Sequence, residues 1–310
     1  MKILLIGTSF FGYIERIHEH LLRVGYAVDL MYDFTDNLKT RTIKFISPND
    51  NYSSIKEIYF DNLLKTLVGK KYDVILVIGG RNLSISFLNG LREKYQYSKF
   101  VLYLTADLAT SYYNTNYFSF FDKIYTYSRI EANKNGFEYI PFFYTNTLRI
   151  KKTIDLSFIG TLHTDRLSII KKMIERNSSS NISLHMYCDI INFLKNPTYY
   201  TSFKIIKFKS LNFNKYIEIL SSSVATLEIP DTKQENITTR PIECLGTATK
   251  IITRSKAIQD YDFFNEDNVY IYESEDDLKL KEWFRVPYKE YSVDLLNEYS
   301  INSWIKNILK

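Results

Sequence analysis

The chain has 310 residues, 45% of them hydrophobic and 24% charged, with a net charge of +5; this composition excludes disordered, collagen-like and disulfide-scaffold proteins and leaves ample material for a core. Two domains of about 150 residues are expected at this length. The longest apolar runs, such as Val74–Ile78 and Phe100–Leu104, are strand-sized and far short of the ~20 residues of a membrane helix.

Met1–Gly7 runs straight into an apolar segment with no small-residue cleavage site, the pattern of a protein that stays in the cytoplasm. Cys188 and Cys244 are too few and too distant for a metal cluster or disulfide framework and are expected as buried free thiols. The basic balance, with 26 Tyr and 21 Phe, suits a surface attracted to anionic lipid or a phosphorylated substrate, or else reflects an AT-rich genome. A basic, aromatic-rich N-terminal surface could then dock at the inner face of the cell membrane. No dense basic run or nucleic-acid motif interrupts the chain, so no nucleic-acid partner is expected.

Lys2–Ile6 predicts a buried strand, followed by the turn Gly7-Thr8-Ser9-Phe10-Phe11-Gly12 and a helix carrying Ile14, Ile17, Leu21 and Leu22. Gly25 closes that helix, and Ala27–Met31 supplies a second strand ending near Asp33. The alternation continues with a helix over Ser54–Val68, a strand over Asp73–Ile78 ending at Gly79-Gly80, a helix over Ser84–Tyr95 and a strand over Lys99–Thr105. Short strands follow at Lys123–Tyr127 and near Phe137–Ile140. Pro141–Lys152 is irregular and marks the domain boundary, giving domains 1–148 and 149–310.

The same grammar restarts with a strand at Leu156–Ile159, Gly160 and a helix at Arg166–Arg176. Strands at Ser183–Tyr187 and Phe203–Lys207, a helix at Asn212–Ser221, a strand at Val224–Ile229, a helix at Pro241–Leu245 and a strand at Thr249–Thr253 complete it. A last helix over Ser292–Ile308 has an apolar face that could pack back on the N-terminal domain. Near-continuous apolar strands alternating with helices predict two α/β domains with doubly wound parallel sheets.

In Leu227–Gly246 a strand delivers a polar loop to a new helix, with Thr239 as N-cap candidate and Pro241 in the first turn. Free N–H groups and the helix dipole there form an anion site, with Arg240 adding charge-assisted bonds and Thr238 and Thr239 adding hydroxyls. Glu243 is placed one turn in to accept from ribose hydroxyls; the competing reading is a capped helix whose positive end Glu243 complements.

Gln234–Glu243 followed by Lys250-Ile251-Ile252-Thr253 resembles the "Q-S-G-L-T-x-R-x-x-E … K-x-I-T" signature of bacterial glycosyltransferases of the GT-B fold, in the CgeB-like and lipopolysaccharide or capsule group. Asp155–Leu162 with Arg166 is similar to that group's "D-x-S-F-x-G … R", and Asp260–Asn265 to its "Y-D-F-Y" segment. The resemblance implies two Rossmann-like domains facing a central cleft, with a nucleotide-diphosphate sugar in the C-terminal one. Gly160 and Thr161 would then approach the phosphates, Arg166 and Arg240 neutralise them, and Glu243 hold the ribose. Asn236 and Glu235 stand where the group has Gly and Ser; Asn tolerates the left-handed backbone the glycine would supply, and Glu235 should point away from the diphosphate.

In the first domain Gly7, Ser9 and Gly12 only partly match G-x-G-x-x-G and do not make a nicotinamide fingerprint. In the GT-B reading they line the cleft with Gly79, Gly80 and Arg81, as acceptor contacts or a cradle for the donor phosphates. Asp107, just past a buried strand, is the candidate general base for an inverting transfer, or an N-cap for the segment after it. His18, His20, His163 and His185 form no metal-binding pattern, and no Asp-x-Asp pair ends a strand, so neither metal nor cofactor is expected. The expected activity is metal-independent transfer from a nucleotide sugar to a saccharide or lipid-linked acceptor in surface polysaccharide synthesis. A nucleotide-sugar epimerase of the same fold and a non-catalytic nucleotide-sugar-binding protein are the alternatives.

Overall fold

The computed structural model describes residues 1–9, 12–33, 50–108, 113, 115–145, 147–162, 164–230 and 236–310. The chain forms two compact units: Met1–Pro141 together with Trp304–Lys310, and Phe142–Ser303.

The first unit holds strands β1 (Lys2–Gly7), β2 (Ala27–Tyr32), β3 (Val74–Ile78), β4 (Lys99–Leu104), β5 (Lys123–Thr126) and β6 (Glu138–Tyr139). They form one parallel sheet in the order β2-β1-β3-β4-β5-β6. Helices α1 (Tyr13–Arg23), α2 (Asp50–Thr66), α3 (Ile85–Lys94) and α4 (Arg129–Asn135) connect them. β1, β3 and β4 are almost wholly buried, as sequence runs without polar interruption require. β2, at the sheet edge, is half exposed. α1 buries Ile14, Ile17 and Leu21 on one stripe, while Leu22 faces out and His20 is buried beside Arg23. Gly79 and Gly80 both take left-handed φ, near 78° and 74°, which turns the chain sharply off β3.

The second unit holds β7 (Ile154–Thr161), β8 (Ile182–Tyr187), β9 (Ile206–Lys207), β10 (Ser223–Leu227), β11 (Lys250–Thr253) and β12 (Val269–Ile271). Their order is β12-β11-β10-β7-β8-β9, again all parallel, so the strand order reverses between β7 and β10. Its helices are α5 (Thr164–Arg176), α6 (Ile190–Lys195), α7 (Phe213–Ser222), α8 (Thr239–Thr247), α9 (Lys281–Arg285) and α10 (Val293–Glu298); α11 (Ile301–Ile308) begins here and gives its second half to the first unit. Leu156, Phe158, Ile170, Met173, Met186, Leu227 and Ile252 make the core beneath the sheet. Cys188 and Cys244 are buried free thiols.

Two of the expected elements take a different form in the structure. The expected strand Phe203–Lys207 shrinks to the two residues of β9, because a 3-10 turn begun by Pro197 runs through Ile205 and buries Tyr199 and Ser202 instead. The expected single helix over Ser292–Ile308 is two helices: Tyr144 inserts at the break, where its N–H donates to the Tyr299 carbonyl and its own carbonyl accepts from the Ile301 N–H. No described helix is long and apolar enough to cross a membrane.

Candidate functional site

In an open parallel sheet, ligands sit beyond the carboxyl ends of the strands where the strand order reverses. In the second unit that point lies between β7 and β10, and the chain puts a cation there. Arg240, on the first turn of α8, donates through one Nη to the Ile159 carbonyl of β7 and through the other to the Leu227 carbonyl of β10, the latter at 3.0 Å. Arg166 closes over the next turn, its Nη1 donating to the Thr161 carbonyl at 3.0 Å. Gly160 lies between these anchors, and a Cβ there would meet the Phe158 ring at 3.1 Å. Gly160, Thr161, Arg166, Thr238 and Arg240 are therefore gathered around the adjacent ends of β7 and β10.

The start of α8 differs from the expectation in three respects. The N-cap is Thr238 rather than Thr239; its hydroxyl accepts from the Arg240 N–H at 3.2 Å. Glu228, 1% exposed, sits at the same end, its Oε1 accepting from both the N–H and the hydroxyl of Thr238. Pro241 has no N–H to offer. Of the first-turn amides, only that of Thr239 lacks an acceptor among the described residues, so the anion site is narrower than a bare helix start and already holds a carboxylate. Asn236 does not take the left-handed backbone: among the described residues Ala248 is the one non-glycine with positive φ. Phe10, Phe11, His163, Gln234 and Glu235 lie outside the described residues.

Glu243, one turn further along α8, is buried and accepts the hydroxyl proton of Tyr216 from α7. Burial and the Glu243 charge drive the Tyr216 hydroxyl well above its ordinary pKa, so it remains a donor. Tyr216 and Glu228 carried no role in the sequence reading. Glu228 had a visible signal, a carboxylate ending an apolar strand; Tyr216 is one of 26 tyrosines and reaches the site only through the packing of α7 on α8.

In the first unit the order reverses between β1 and β3. Gly7 ends β1 where a Cβ would fall 2.8 Å from Ile14 Cδ1 and 3.1 Å from the Ile78 carbonyl oxygen, so a larger residue would have to push the Ile14 side chain aside. Gly12 is the N-cap of α1, and Ser9, exposed, donates to Glu15 Oε1 at 2.8 Å. Asp33, completely buried just after β2, accepts from the Thr8 hydroxyl at 2.8 Å and from Asn82 Nδ2 at 3.5 Å, while its Oδ1 has no partner among the described residues. Burial pushes its carboxyl up to about 6, opposed by Thr8 and Asn82 and by the charges of Arg81 and Lys56. Asp107, beyond β4, is buried and accepts from the Tyr127 hydroxyl at 2.6 Å. Burial and the Asp107 charge hold that hydroxyl protonated. Thus Gly7, Gly80 and Arg81 border the reversal point with Asp33, whereas Asp107 belongs to the neighbouring strand ends. The described residues contain no grouping of His, Cys, Asp and Glu that could hold a metal ion.

No family model matches the sequence, and neither does any curated protein. Solved structures do match the chain end to end. AviGT4, a glycosyltransferase involved in avilamycin A biosynthesis, is 10% identical with a TM-score of 0.60, covering 100% of this chain and 97% of its own. UDP-GlcNAc 2-epimerase from Neisseria meningitidis, bound to UDP-GlcNAc, is 10% identical at a TM-score of 0.62, covering 100% and 98%. Anabaena HepE in complex with UDP is 9% identical at 0.59, covering 100% and 99%. The chain has the GT-B fold, two Rossmann-like α/β units with parallel sheets.

Proposed function

We propose that the protein is a glycosyltransferase that moves a sugar from a nucleotide-diphosphate sugar to a saccharide or lipid-linked saccharide acceptor, in the synthesis of a bacterial surface polysaccharide at the cytoplasmic face of the membrane. The observation that carries this reading is the clustering of Gly160, Thr161, Arg166, Thr238 and Arg240 at the reversal point of the second sheet, on a fold shared with proteins solved with UDP or UDP-GlcNAc.

In this reading Gly160 and Thr161 lie along the diphosphate, Arg166 and the Thr239 N–H donate to it, and the Thr238 and Thr239 hydroxyls border it. Arg240 holds the two strand ends in place and adds its charge from beneath. Glu243 accepts from the ribose hydroxyls in competition with Tyr216. These groups, rather than a metal ion, stabilise the diphosphate as the bond to the anomeric carbon breaks. Asp107 takes the proton of the acceptor hydroxyl as its oxygen bonds to that carbon. Gly7, Ser9, Gly12, Gly80 and Arg81 contact the acceptor.

A second reading, a nucleotide-sugar epimerase, is favoured by the match to UDP-GlcNAc 2-epimerase. Calorimetry against UDP, GDP, dTDP, CMP and NAD tests the shared core: one nucleoside diphosphate should bind, and Glu243→Ala should weaken it about tenfold or more, the loss of a charged hydrogen-bond acceptor. Binding of NAD alone, or of nothing, removes both readings. Incubation with the donor sugar alone then separates them, since an epimer formed without acceptor marks the epimerase and turnover only with acceptor marks the transferase.

A further inference from the structure

Between Ile190 and Lys209 the sequence carries four lysines, five aromatic residues and no aspartate or glutamate. The structure folds this stretch at the edge of the second sheet, where β9 pairs, among the described residues, only with β8. Asp189 caps α6 through the Asn192 N–H at 2.9 Å and fixes a short helix whose Ile190, Ile191 and Leu194 share one face. These three are 61%, 54% and 63% exposed, and Phe203 in the following 3-10 turn is 58% exposed. Phe193 ties the surface together, its ring 5.1 Å from Tyr200, 5.9 Å from Phe203 and 5.2 Å from Phe208. Lys195, Lys204, Lys207 and Lys209 are all exposed around it. The adjoining groove brings Lys171 and Ile174 together with Glu175, so that the carboxylates of Glu175 and Asp189 stand beside four exposed lysines.

We infer that this face, residues 190–209, docks onto an anionic lipid surface, with Ile190, Ile191, Leu194 and Phe203 entering the headgroup layer and the lysines meeting lipid phosphates. Exposed apolar side chains at a sheet edge, interspersed with long cations, match the depth and charge of a bilayer interface. The lysine stems can lie along the apolar layer while their ammonium groups stay at its surface. A two-fold dimer through the same face would instead set four lysines against four lysines, a like-charge contact that a self-complementary interface avoids. The inference does not depend on the reaction catalysed. It places membrane contact in the second unit rather than on the N-terminal surface that composition suggested.

Co-sedimentation of the full chain with vesicles of mixed phosphatidylglycerol and phosphatidylcholine tests it. The wild type should pellet with these vesicles, release as salt rises, and bind pure phosphatidylcholine far more weakly. Lys204→Gln and Lys207→Gln should each weaken partitioning about fivefold, and the triple variant Ile191→Ser, Leu194→Ser, Phe203→Ser at least about tenfold. All five positions are exposed, and unchanged thermal melting would verify that the variants are folded. A wild type that stays in the supernatant overturns the inference, as does binding that survives in the folded variants. Light scattering that finds a dimer dissociated by the serine triple would overturn it in favour of a second copy on this face. Nucleotide binding by the same variants should be unaltered, so this surface and the nucleotide reading can fail separately.

Discussion

At the end of β2 the buried Asp33 carboxyl titrates near 6 rather than at its ordinary 3.8. The folded state therefore holds this proton more tightly than the unfolded chain, and its contribution to stability is complete below about pH 4 and lost as pH rises through about 6. A shift of this size corresponds to roughly 3 kcal/mol. Asp33→Asn, which can still accept from Thr8 and Asn82, should be more stable than wild type by that order above about pH 7 and equal to it near pH 4, measured by urea unfolding across the range. A difference that does not change with pH would remove this account. In the second unit Glu228 poses the opposite question, because its charge stands at the helix start where the diphosphate is proposed to seat. Glu228→Gln keeps an acceptor for Thr238 and removes the repulsion, so nucleoside diphosphate should bind several-fold more tightly; unchanged affinity in calorimetry would place the phosphates away from the α8 start. The sequence showed a carboxylate at each of these strand ends. It could not show their burial, which comes from strands and helices distant in the chain.

The elements legible in the sequence were those whose burial is uniform or strictly periodic. β1, β3 and β4 are continuous apolar runs, and α1 carries its stripe at helical spacing, so each was visible locally. α6 escaped because six residues give little more than one turn of period, and its Asp189 cap lies in a stretch that also suits a strand. The break between α10 and α11 depends on Tyr144, more than a hundred residues away, and no local pattern contains it. The α8 cap sits between these cases: two threonines flank the true boundary, and the choice falls to Thr238 because only there can one hydroxyl accept from the Arg240 N–H while donating to Glu228. Thr238→Ala should cost about 1–2 kcal/mol, the ordinary worth of a threonine cap, whereas Thr238→Ser should cost much less. Equal losses in urea unfolding would show that the methyl group and not the hydroxyl stabilises the helix start.

At the scale of the molecule, the chain's last residues complete the first unit. Trp304 is 1% exposed and meets the Tyr103 ring edge-on at 5.0 Å, and the Tyr125 hydroxyl donates to the Asn307 carbonyl at 3.4 Å. Tyr103 lies in β4 and Tyr125 in β5, so the second half of α11 covers two strands of a sheet that is otherwise built from residues before Pro141. A large aromatic truncated in such a setting costs about 3–5 kcal/mol, because the cavity cannot close around a rigid sheet. Trp304→Ala should therefore destabilise the first unit by that amount. Native-state hydrogen exchange reads the effect strand by strand: protection should fall by about two to four orders of magnitude in β4 and β5 and hold in β10 and β11. If protection fell equally in both sheets, the two units would unfold as one, and Trp304 would be a support of the whole chain rather than of the first sheet. If neither changed, the edge-on contact with Tyr103 would carry little of the stability that its burial implies.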